Sequence, residues 1–343
     1  MSLFSLARPL VFRLDPERAH GLTIAGLKAI PGGTARFPEA LRSTVAGLDF
    51  PSPIGLAAGF DKHAEAFGPL LRLGFGFVEV GTVTPLPQPG NARPRLFRLA
   101  EDRAVINRFG FNSHGHEAAL PRLQRRRRTR GIVGVNLGAN KDSPDRIADY
   151  ADGVRRMAPV ADYLAVNISS PNTPGLRQLQ DEGALRELLA AVREARPLGG
   201  PPIFLKVAPD LGEGEPKQIV RAAIDHGIDG LIVSNTTVSR PALRSAHAGE
   251  TGGLSGAPLK ALALDALRRF RAETGGGLPL IGVGGIGSAD DAWDRIRAGA
   301  SLVQLYSALV YEGPGLARRI AHGLTERLDR AGLANIAEAV GSE

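Results

Sequence analysis

Eight short apolar runs, most of them separated by helical stretches, constrain the fold of this chain more than any other feature. They lie at residues 54–58, 77–80, 132–135, 163–166, 203–205, 230–233, 280–283 and 302–305. Runs that alternate with helices are typical of parallel strands buried on both faces, and eight of them close a (β/α)8 barrel. A doubly wound open sheet is the alternative, but no dinucleotide-binding fingerprint opens the first unit. We therefore predict an α/β fold, a (β/α)8 TIM barrel with a small N-terminal helical extension.

The residues that follow these runs are polar or lack a side chain. In chain order they are Gly59, Thr82, Asn136, Asn167, Lys206, Ser234, Asn235, Gly284, Gly285, Tyr306 and Ser307. A polar residue after one strand is commonly only a turn former. Because active sites of such barrels lie where the strands end, the whole set at one face predicts a functional site.

Two connections are long for this fold, residues 85–113 and residues 236–260. Long connections inside a compact domain are commonly binding loops or lids, although an insertion without function is the alternative. Their polar, turn-forming sequences favour the functional interpretation.

The segment before the barrel has a different pattern. Leu3, Phe4, Ala7, Leu10 and Val11 form one helical stripe, and Asp15-Pro16-Glu17 is typical of the start of a second helix. That helix places His20 on a stripe with Ile24 and Leu27. We predict an N-terminal amphipathic helical segment over residues 1–45 and a barrel over residues 46–343. The two helices either pack as a lid or lie on a membrane surface.

Composition excludes several classes of chemistry. The chain has 343 residues and no cysteine, which excludes disulfides, thiolate metal sites and a thiol nucleophile. We predict no metal site. No apolar stretch approaches the ~20 residues of a membrane-spanning helix. The net charge of +7 is compatible with nucleic acid, an anionic membrane or an acidic substrate.

The basic run Arg125 to Arg128, with Arg130, is the segment that most suggests nucleic-acid binding. It has no interleaved aromatic residues and is typical of a solvated helix face, so we expect no nucleic-acid partner.

Three further motifs carry chemistry. The glycine-rich segment 282–287 precedes a predicted helix and forms an anion cradle where this fold usually binds phosphate. Lys206 lies in an apolar run, where a buried ammonium forms a Schiff base, contacts a phosphate or stabilises an anionic reduced flavin. The segment 167–175 is a rigid polar loop suited to a planar ligand, but spacing alone does not assign a role to Ser169 or Ser170.

Taken together, the motifs resemble the class 2, membrane-associated dihydroorotate dehydrogenases over residues 15–314. The matching segments are LDPERAH (14–20), AAGFDK (57–62), VGTVTP (80–85), PRLFRL (94–99), INRFGF (106–111), NISSPNTPG (167–175), SNTT (234–237), GGLSG (252–256) and VGGI (283–286). Ala139 and Ser234 depart from the common pattern, where relatives often have lysine and threonine.

The resemblance implies that (S)-dihydroorotate is oxidised to orotate on FMN, which a membrane quinone then reoxidises in pyrimidine biosynthesis. The implied FMN contacts are Ala58, Gly59, Lys62, Thr82, Asn136, Asn167, Lys206, Ser234, Gly256, Gly285, Tyr306 and Ser307. The implied substrate contacts are Lys62, Asn107, Arg108, Phe109, Gly110, Phe111, Asn167, Asn172, Asn235 and Thr236. The implied catalytic residues are Ser170 as the base, Thr173 beside a water relay, and Lys206 near the flavin.

The same resemblance gives the N-terminal helices a purpose. Soluble class 1 enzymes use a cysteine base and lack these helices, whereas this chain has a serine and the helices. The implied quinone site contains His20, Arg98 and Tyr306, and the implied surroundings are an anionic lipid surface at the cytoplasmic face of the bacterial inner membrane. The sequence leaves the oligomeric state open, and a monomer is compatible with it. A flavin-dependent isomerase, or a nucleic-acid or lipid binder on the same barrel, is the alternative function.

Overall fold

The computed structural model describes residues 3–128 and 131–343. Met1, Ser2, Thr129 and Arg130 lie outside the described residues, and with them the first residues of the predicted N-terminal segment and the last arginine of the basic run. The strands are β1 Ser43–Val45, β2 Leu48–Phe50, β3 Ile54–Leu56, β4 Phe77–Val83, β5 Leu96–Leu99, β6 Ala104–Asn107, β7 Ile132–Leu137, β8 Tyr163–Asn167, β9 Ile203–Val207, β10 Gly230–Val233, β11 Gly253–Gly256, β12 Leu280–Val283 and β13 Ala300–Leu305.

The helices alternate with the barrel strands as a (β/α)8 barrel requires. They are α1 Leu3–Val11, α2 Pro16–Lys28, α3 Phe67–Arg72, α4 His116–Gln124, α5 Arg146–Met157, α6 Glu182–Ala195, α7 Glu215–Asp225, α8 Lys260–Thr274, α9 Ala289–Arg297, α10 Ser307–Glu312 and α11 Leu316–Ala331. The first two precede the barrel, and at least one helix follows each barrel strand. No helix of the described residues is long and apolar enough to cross a membrane.

A closed parallel barrel is the centre of the fold, in the order β3-β4-β7-β8-β9-β10-β12-β13. These strands coincide with the eight apolar runs, so the predicted fold class is confirmed. Burial on both faces explains why the runs are continuously apolar rather than alternating.

Aromatic side chains fill the lower part of the barrel. Phe77 contacts both Phe50 and Tyr163, with ring centroids 5.1 Å and 6.3 Å away, and Tyr163 lies 5.3 Å from Phe204. Gly134 makes this packing possible, since a Cβ at that position would overlap the Tyr163 ring. The upper part, towards the carboxyl ends of the strands, holds polar side chains instead.

A hairpin formed by β1 and β2 places Phe50 beneath the barrel. The predicted boundary between residues 45 and 46 lies in the turn of this hairpin, and the division into two domains stays a prediction.

Both predicted N-terminal helices are confirmed. The Asp15 side chain accepts a hydrogen bond from Arg18 N at 2.9 Å and caps α2, with Pro16 at its first position. On the predicted stripe of α1, Phe4 and Val11 line a cavity, whereas Leu10 is exposed.

The two long connections pair with each other in a small antiparallel sheet, in the order β5-β6-β11. The first connection supplies the β5–β6 hairpin and the second supplies β11, which pairs with β6 from Gly253 opposite Asn107 to Gly256 opposite Ala104. The sheet covers one side of the barrel mouth, where the sequence predicted binding loops or lids.

The basic run begins directly after α4 as a 3₁₀ turn over Arg125–Arg128. Arg125 is exposed, as predicted for a solvated face. Arg126 is only half-buried and donates to Asp162 Oδ1 at 2.5 Å and to the Val133 carbonyl at 3.1 Å, so it ties the turn to the barrel.

Candidate active site

A continuous cavity of about 1010 Å³ lies above the carboxyl ends of the barrel strands. It extends from the polar strand ends, past Tyr306, to an apolar end between α1, α2 and α10. Its volume is at the upper limit of typical single-ligand pockets, which gives it room for more than one small molecule.

Most of the sequence-predicted site residues line this cavity. They are His20, Ala58, Gly59, Lys62, Thr82, Arg98, Asn107, Phe109, Gly110, Phe111, Asn167, Ser170, Asn172, Lys206, Ser234, Asn235, Thr236, Gly256, Gly285, Tyr306 and Ser307. Asn136, Thr173 and Arg108 do not line it. The first two are buried directly behind the lining, whereas the Arg108 guanidinium points away and pairs with Glu250 at 2.6 Å.

A network of three polar side chains from neighbouring strands supports the floor of the cavity, with Thr82 and Asn167 in the lining and Asn136 buried directly behind them. Thr82 Oγ1 donates to Asn136 Oδ1 at 2.6 Å, and Asn167 Nδ2 donates to the same oxygen at 3.1 Å. Asn235 Nδ2 donates to Asn167 Oδ1 at 3.2 Å and so extends the network to β10. All of these except Asn235 are buried, and their mutual hydrogen bonds fix which amide edges face the ligand.

Lys206 places a buried ammonium beside this floor. Its side chain is only 6% exposed, and Nζ lies 3.6 Å from Oε1 of Glu79 in the barrel interior. The Ser169 hydroxyl donates to the Lys206 carbonyl at 2.9 Å, which fastens the loop after β8 to the end of β9. Lys206 therefore has an acidic partner below it and the cavity above it.

The loop after β8 contains two of the three predicted catalytic residues, Ser170 and Thr173. Ser170 lines the cavity and is 7% exposed, and its Oγ accepts a hydrogen bond from Asn172 N at 3.3 Å. Asn172 Nδ2 donates to Asn107 Oδ1 at 3.2 Å across the cavity mouth. Thr173 is 3% exposed, and its Oγ1 has no hydrogen-bond partner among the described residues. An unpartnered buried hydroxyl at this place suits a bound water.

Lys62 supplies the cation on the opposite side of the cavity. Its Nζ lies 4.2 Å from the centroid of the Phe109 ring. Burial lowers the pKa of Lys62 to about 8, although the nearby carboxylate of Glu17 raises it and the Arg95 charge lowers it further. Lys62 therefore titrates in a range that is accessible to experiment.

The apolar end of the cavity lies against the N-terminal helices. The His20 ring has its centroid 5.1 Å from Phe60 and 6.4 Å from Tyr306. Burial and then the Lys62 charge lower the pKa of His20 to about 3, so the imidazole is neutral at physiological pH. Arg98 donates to the Phe12 carbonyl at 3.1 Å, which joins β5 to the end of α1.

The glycine-rich segment lines the end of the cavity near α9. The Ser288 side chain caps this helix, which the sequence predicted to follow the segment, by accepting from Asp291 N at 3.1 Å. Gly285 has a φ of +71° and packs so closely on Lys260 that a Cβ there would overlap its backbone. The Ser307 and Ser255 hydroxyls lie 2.7 Å apart beside this turn. Backbone amides and hydroxyls therefore line the end predicted to bind an anion.

Sequence reasoning missed four residues that support the site. Glu79 and Gln304 lie buried inside the barrel, and Arg177 and Asp210 connect the loops after β8, β9 and β10. A charged or amide residue within an apolar run was the signal for the first two. No local pattern marks the other two.

The family model for dihydroorotate dehydrogenase matches residues 40–328. The chain belongs to the dihydroorotate dehydrogenase family. Proteins named dihydroorotate dehydrogenase (quinone) from Novosphingobium aromaticivorans and Erythrobacter litoralis are each 63% identical to it, covering 100% and 99% of this chain and 100% of each relative.

Solved dihydroorotate dehydrogenase structures have the same fold. The enzyme of Eimeria tenella in complex with ferulenol superposes with a TM-score of 0.90 at 43% identity, covering 96% of this chain and 95% of that chain. Its ligand-free form gives a TM-score of 0.91 at 44% identity, covering 96% and 99%. Dihydroorotate dehydrogenases are flavoproteins, and the residues of this site suit a flavin: buried amides, hydroxyls and the ammonium of Lys206 face a cavity large enough for two ligands.

Proposed function

We propose that this chain is a quinone-dependent dihydroorotate dehydrogenase, which oxidises (S)-dihydroorotate to orotate in pyrimidine biosynthesis. The observation that carries the proposal is the continuity of one cavity, which joins a buried polar floor to an apolar end between the N-terminal helices. Full-length relatives named dihydroorotate dehydrogenase (quinone) support the same activity. A polar half suits the pyrimidine and an apolar half suits a quinone.

FMN is the flavin that we assign to the cavity floor. The residues that would hold it are Ala58, Gly59, Lys62, Thr82, Asn136, Asn167, Lys206, Ser234, Gly256, Gly285, Tyr306 and Ser307. When bound, FMN supplies a two-electron acceptor that the amino acids of this chain lack. Lys206 contributes a positive charge where reduction adds negative charge.

Orotate is a planar imide with one carboxylate, dihydroorotate shares the imide and the carboxylate, and the proposed contacts match these groups. The amides of Asn107, Asn167, Asn172 and Asn235, with Thr236, offer donors and acceptors for the ring. Lys62 supplies the charge-assisted partner for the carboxylate. The segment from Phe109 to Phe111 closes one side, and the Arg108 side chain contributes through its ion pair rather than by contact.

Ser170 is the residue that we assign to remove the proton from the substrate. A serine hydroxyl is a weak base, so the proton must leave along a relay. Thr173 lies three residues further along the same loop, and its buried Oγ1, which has no hydrogen-bond partner in the described part of the chain, suits the water that would carry this proton. The surrounding burial excludes other water from the reacting atoms.

The apolar end is the proposed quinone site, formed by His20, Arg98 and Tyr306. Several large apolar side chains of the N-terminal segment are exposed around it: Leu6, Leu10, Leu14, Leu22 and Ile30. Exposed apolar side chains beside arginines suit the headgroup region of an anionic membrane. We therefore place the enzyme as a peripheral protein at the cytoplasmic face of a bacterial inner membrane.

An anaerobic absorbance experiment tests the proposal. Purified protein should carry a flavin spectrum that bleaches on addition of dihydroorotate and returns on addition of a short-chain quinone. A protein that has no flavin and cannot be reconstituted with FMN would contradict it. Bleaching that no acceptor reverses would favour a flavin-dependent isomerase.

A further inference from the structure

Glu79 is a fully buried carboxylate that the mechanism above does not use. It lies on β4 with 0% of its surface exposed, between Val78 and Val80 of an apolar run. A buried charge strongly destabilises a fold unless it is paired and hydrogen-bonded. The presence of Glu79 at this depth therefore requires an explanation.

The described partners of Glu79 are all hydrogen-bond donors or cations. Its Oε2 accepts from Tyr163 OH at 3.1 Å and from Gln304 Nε2 at 2.8 Å. Its Oε1 accepts from Asn136 Nδ2 at 2.8 Å and lies 3.6 Å from Lys206 Nζ. An ionised carboxylate only accepts, so this set of partners matches it.

The two groups held by Glu79 Oε1, on Asn136 and Lys206, both belong to residues that we assign to the flavin. Because Asn136 Nδ2 is directed to Glu79, its Oδ1 is directed to Thr82 and Asn167. Lys206 lines the cavity on the side away from Glu79. Glu79 Oε1 thus sets both the orientation of the Asn136 amide and the position of the Lys206 ammonium.

We propose that Glu79 is a positioning residue, which fixes Lys206 and Asn136 from inside the barrel and balances the ammonium charge at the flavin site. That the bound group is a flavin rests on the proposed function, whereas the pairing of Glu79 with Lys206 is independent of it. If Glu79 had only a structural role inside the barrel, it would make the same hydrogen bonds. The test must therefore detect the effect of the negative charge of Glu79.

The first experiment is a double-mutant cycle on protein freed of flavin, measured by urea unfolding. The variants are Glu79→Gln, Lys206→Met and the pair together. Removing one partner leaves a buried charge without its counter-ion, so each single variant should lose stability and the double variant should lose clearly less than the sum. Additive losses would overturn the proposal. If Glu79→Gln gives no folded protein, the double variant should still fold, and failure of both would also overturn it.

The second experiment measures the reduction potential of bound FMN. Glu79→Gln removes a negative charge near a ring that becomes more negative on reduction, so the potential should shift to more positive values. Tyr163→Phe is the matched control, because it removes one hydrogen bond from the same carboxylate and leaves the charge in place. An unchanged or more negative potential in Glu79→Gln, or an equal shift in Tyr163→Phe, would overturn the proposal.

The two experiments separate this proposal from the proposed function. Protein that never binds FMN would refute the function, but the unfolding cycle would still report whether Glu79 and Lys206 are coupled. Coupled unfolding with no change in potential would leave the pairing intact and reject its role at the flavin.

Discussion

The Arg95 guanidinium binds the Glu17 carboxylate through two nitrogens, with Nη2 2.8 Å from Oε1 and Nε 3.2 Å from Oε2. Arg95 precedes β5 at the barrel mouth, and its side chain is only 7% exposed. Glu17 lies in the first turn of α2. The ion pair therefore fastens the N-terminal segment to the loops that surround the proposed substrate site.

The ion pair also places the Glu17 charge near Lys62, which gives a prediction for the pH dependence of substrate binding. Lys62 has a pKa of about 8 and must be protonated to bind a carboxylate, so orotate affinity should be constant below that pH and fall about tenfold per unit above it. Glu17→Gln removes a charge that raises the Lys62 pKa, and the fall should begin at lower pH. Orotate titrations across the pH range measure both curves.

Glu65→Gln is the matched control for that experiment. Glu65 also ties α2 to the barrel, through Lys28 at 3.0 Å, but its charge is not among the causes of the Lys62 shift. Its curve should coincide with that of the parent enzyme. If the affinity curves of Glu17→Gln and Glu65→Gln shifted by the same amount, loosening of α2, and not the charge of Glu17, would control orotate binding.

Ser170→Ala should slow flavin reduction by dihydroorotate by about 10²- to 10⁴-fold, the usual contribution of a general base. FMN should remain bound, because the proposed flavin contacts do not include Ser170. Stopped-flow absorbance under anaerobic conditions measures the rate. Ser169→Ala is the control within the same loop: Ser169 Oγ donates to the Lys206 carbonyl, so its loss should affect stability more than proton removal. Equal rates in Ser170→Ala and the parent would reject Ser170 as the base.

His20→Ala should slow flavin reoxidation by a quinone about tenfold, equivalent to roughly 1.4 kcal/mol, and leave reduction by dihydroorotate unchanged. His20 contacts Phe60 and Tyr306 at the apolar end, away from Ser170. Since its pKa is about 3, the quinone reaction of the parent should show no histidine ionisation between about pH 5 and 8. Equal loss in both half-reactions would indicate a structural role.

The barrel and the residues at its strand ends could be predicted because both depend on local patterns. Apolar runs specify buried parallel strands, and the residue after each run lies at the mouth by geometry alone. Thr82, Asn136 and Asn167 therefore lie together as expected, with mutual hydrogen bonds of 2.6 Å and 3.1 Å.

Pairing between distant segments could not be predicted in the same way. The β6–β11 ladder joins residues more than 140 positions apart, and neither segment carries a pattern that selects the other. The outward direction of Arg108 follows from this sheet, because its partner Glu250 lies just before β11. Glu79 differs from these segments in that a local signal marks it, an acidic residue inside an apolar run. Its hydrogen-bond partners, however, could not be predicted from the sequence.

Gly134→Ala tests the packing inside the barrel. The added Cβ would overlap the Tyr163 ring, so overpacking should destabilise the protein by about 1–3 kcal/mol. Gly183→Ala is the control, because that helical position has open space around it and alanine should stabilise it by up to about 1 kcal/mol. Thermal unfolding of both variants measures the difference. A neutral Gly134→Ala would mean that Tyr163 has room to move.

Arg177 connects the loop after β8, which contains Ser170, to the loops after β9 and β10, and its removal gives the final prediction. Its Nε donates to the Ser169 carbonyl at 3.1 Å and its Nη2 to the Thr236 carbonyl at 3.1 Å, while Nη1 binds Asp210 at 3.0 Å. Arg177→Met keeps the apolar stem but frees both loops. Because Ser170 and Thr236 then lose their fixed spacing, KM for dihydroorotate should rise and flavin reduction should slow, each about tenfold.

Arg186→Met is the matched control, because Arg186 binds Asp225 at the same distance of 3.0 Å on the surface, where such pairs contribute little to stability. Its kinetics should equal those of the parent. FMN affinity should stay unchanged in both variants, since neither arginine lines the cavity. A loss of FMN in Arg177→Met that accounts for the slower turnover would mean that the arginine stabilises the barrel mouth as a whole and does not position Ser170.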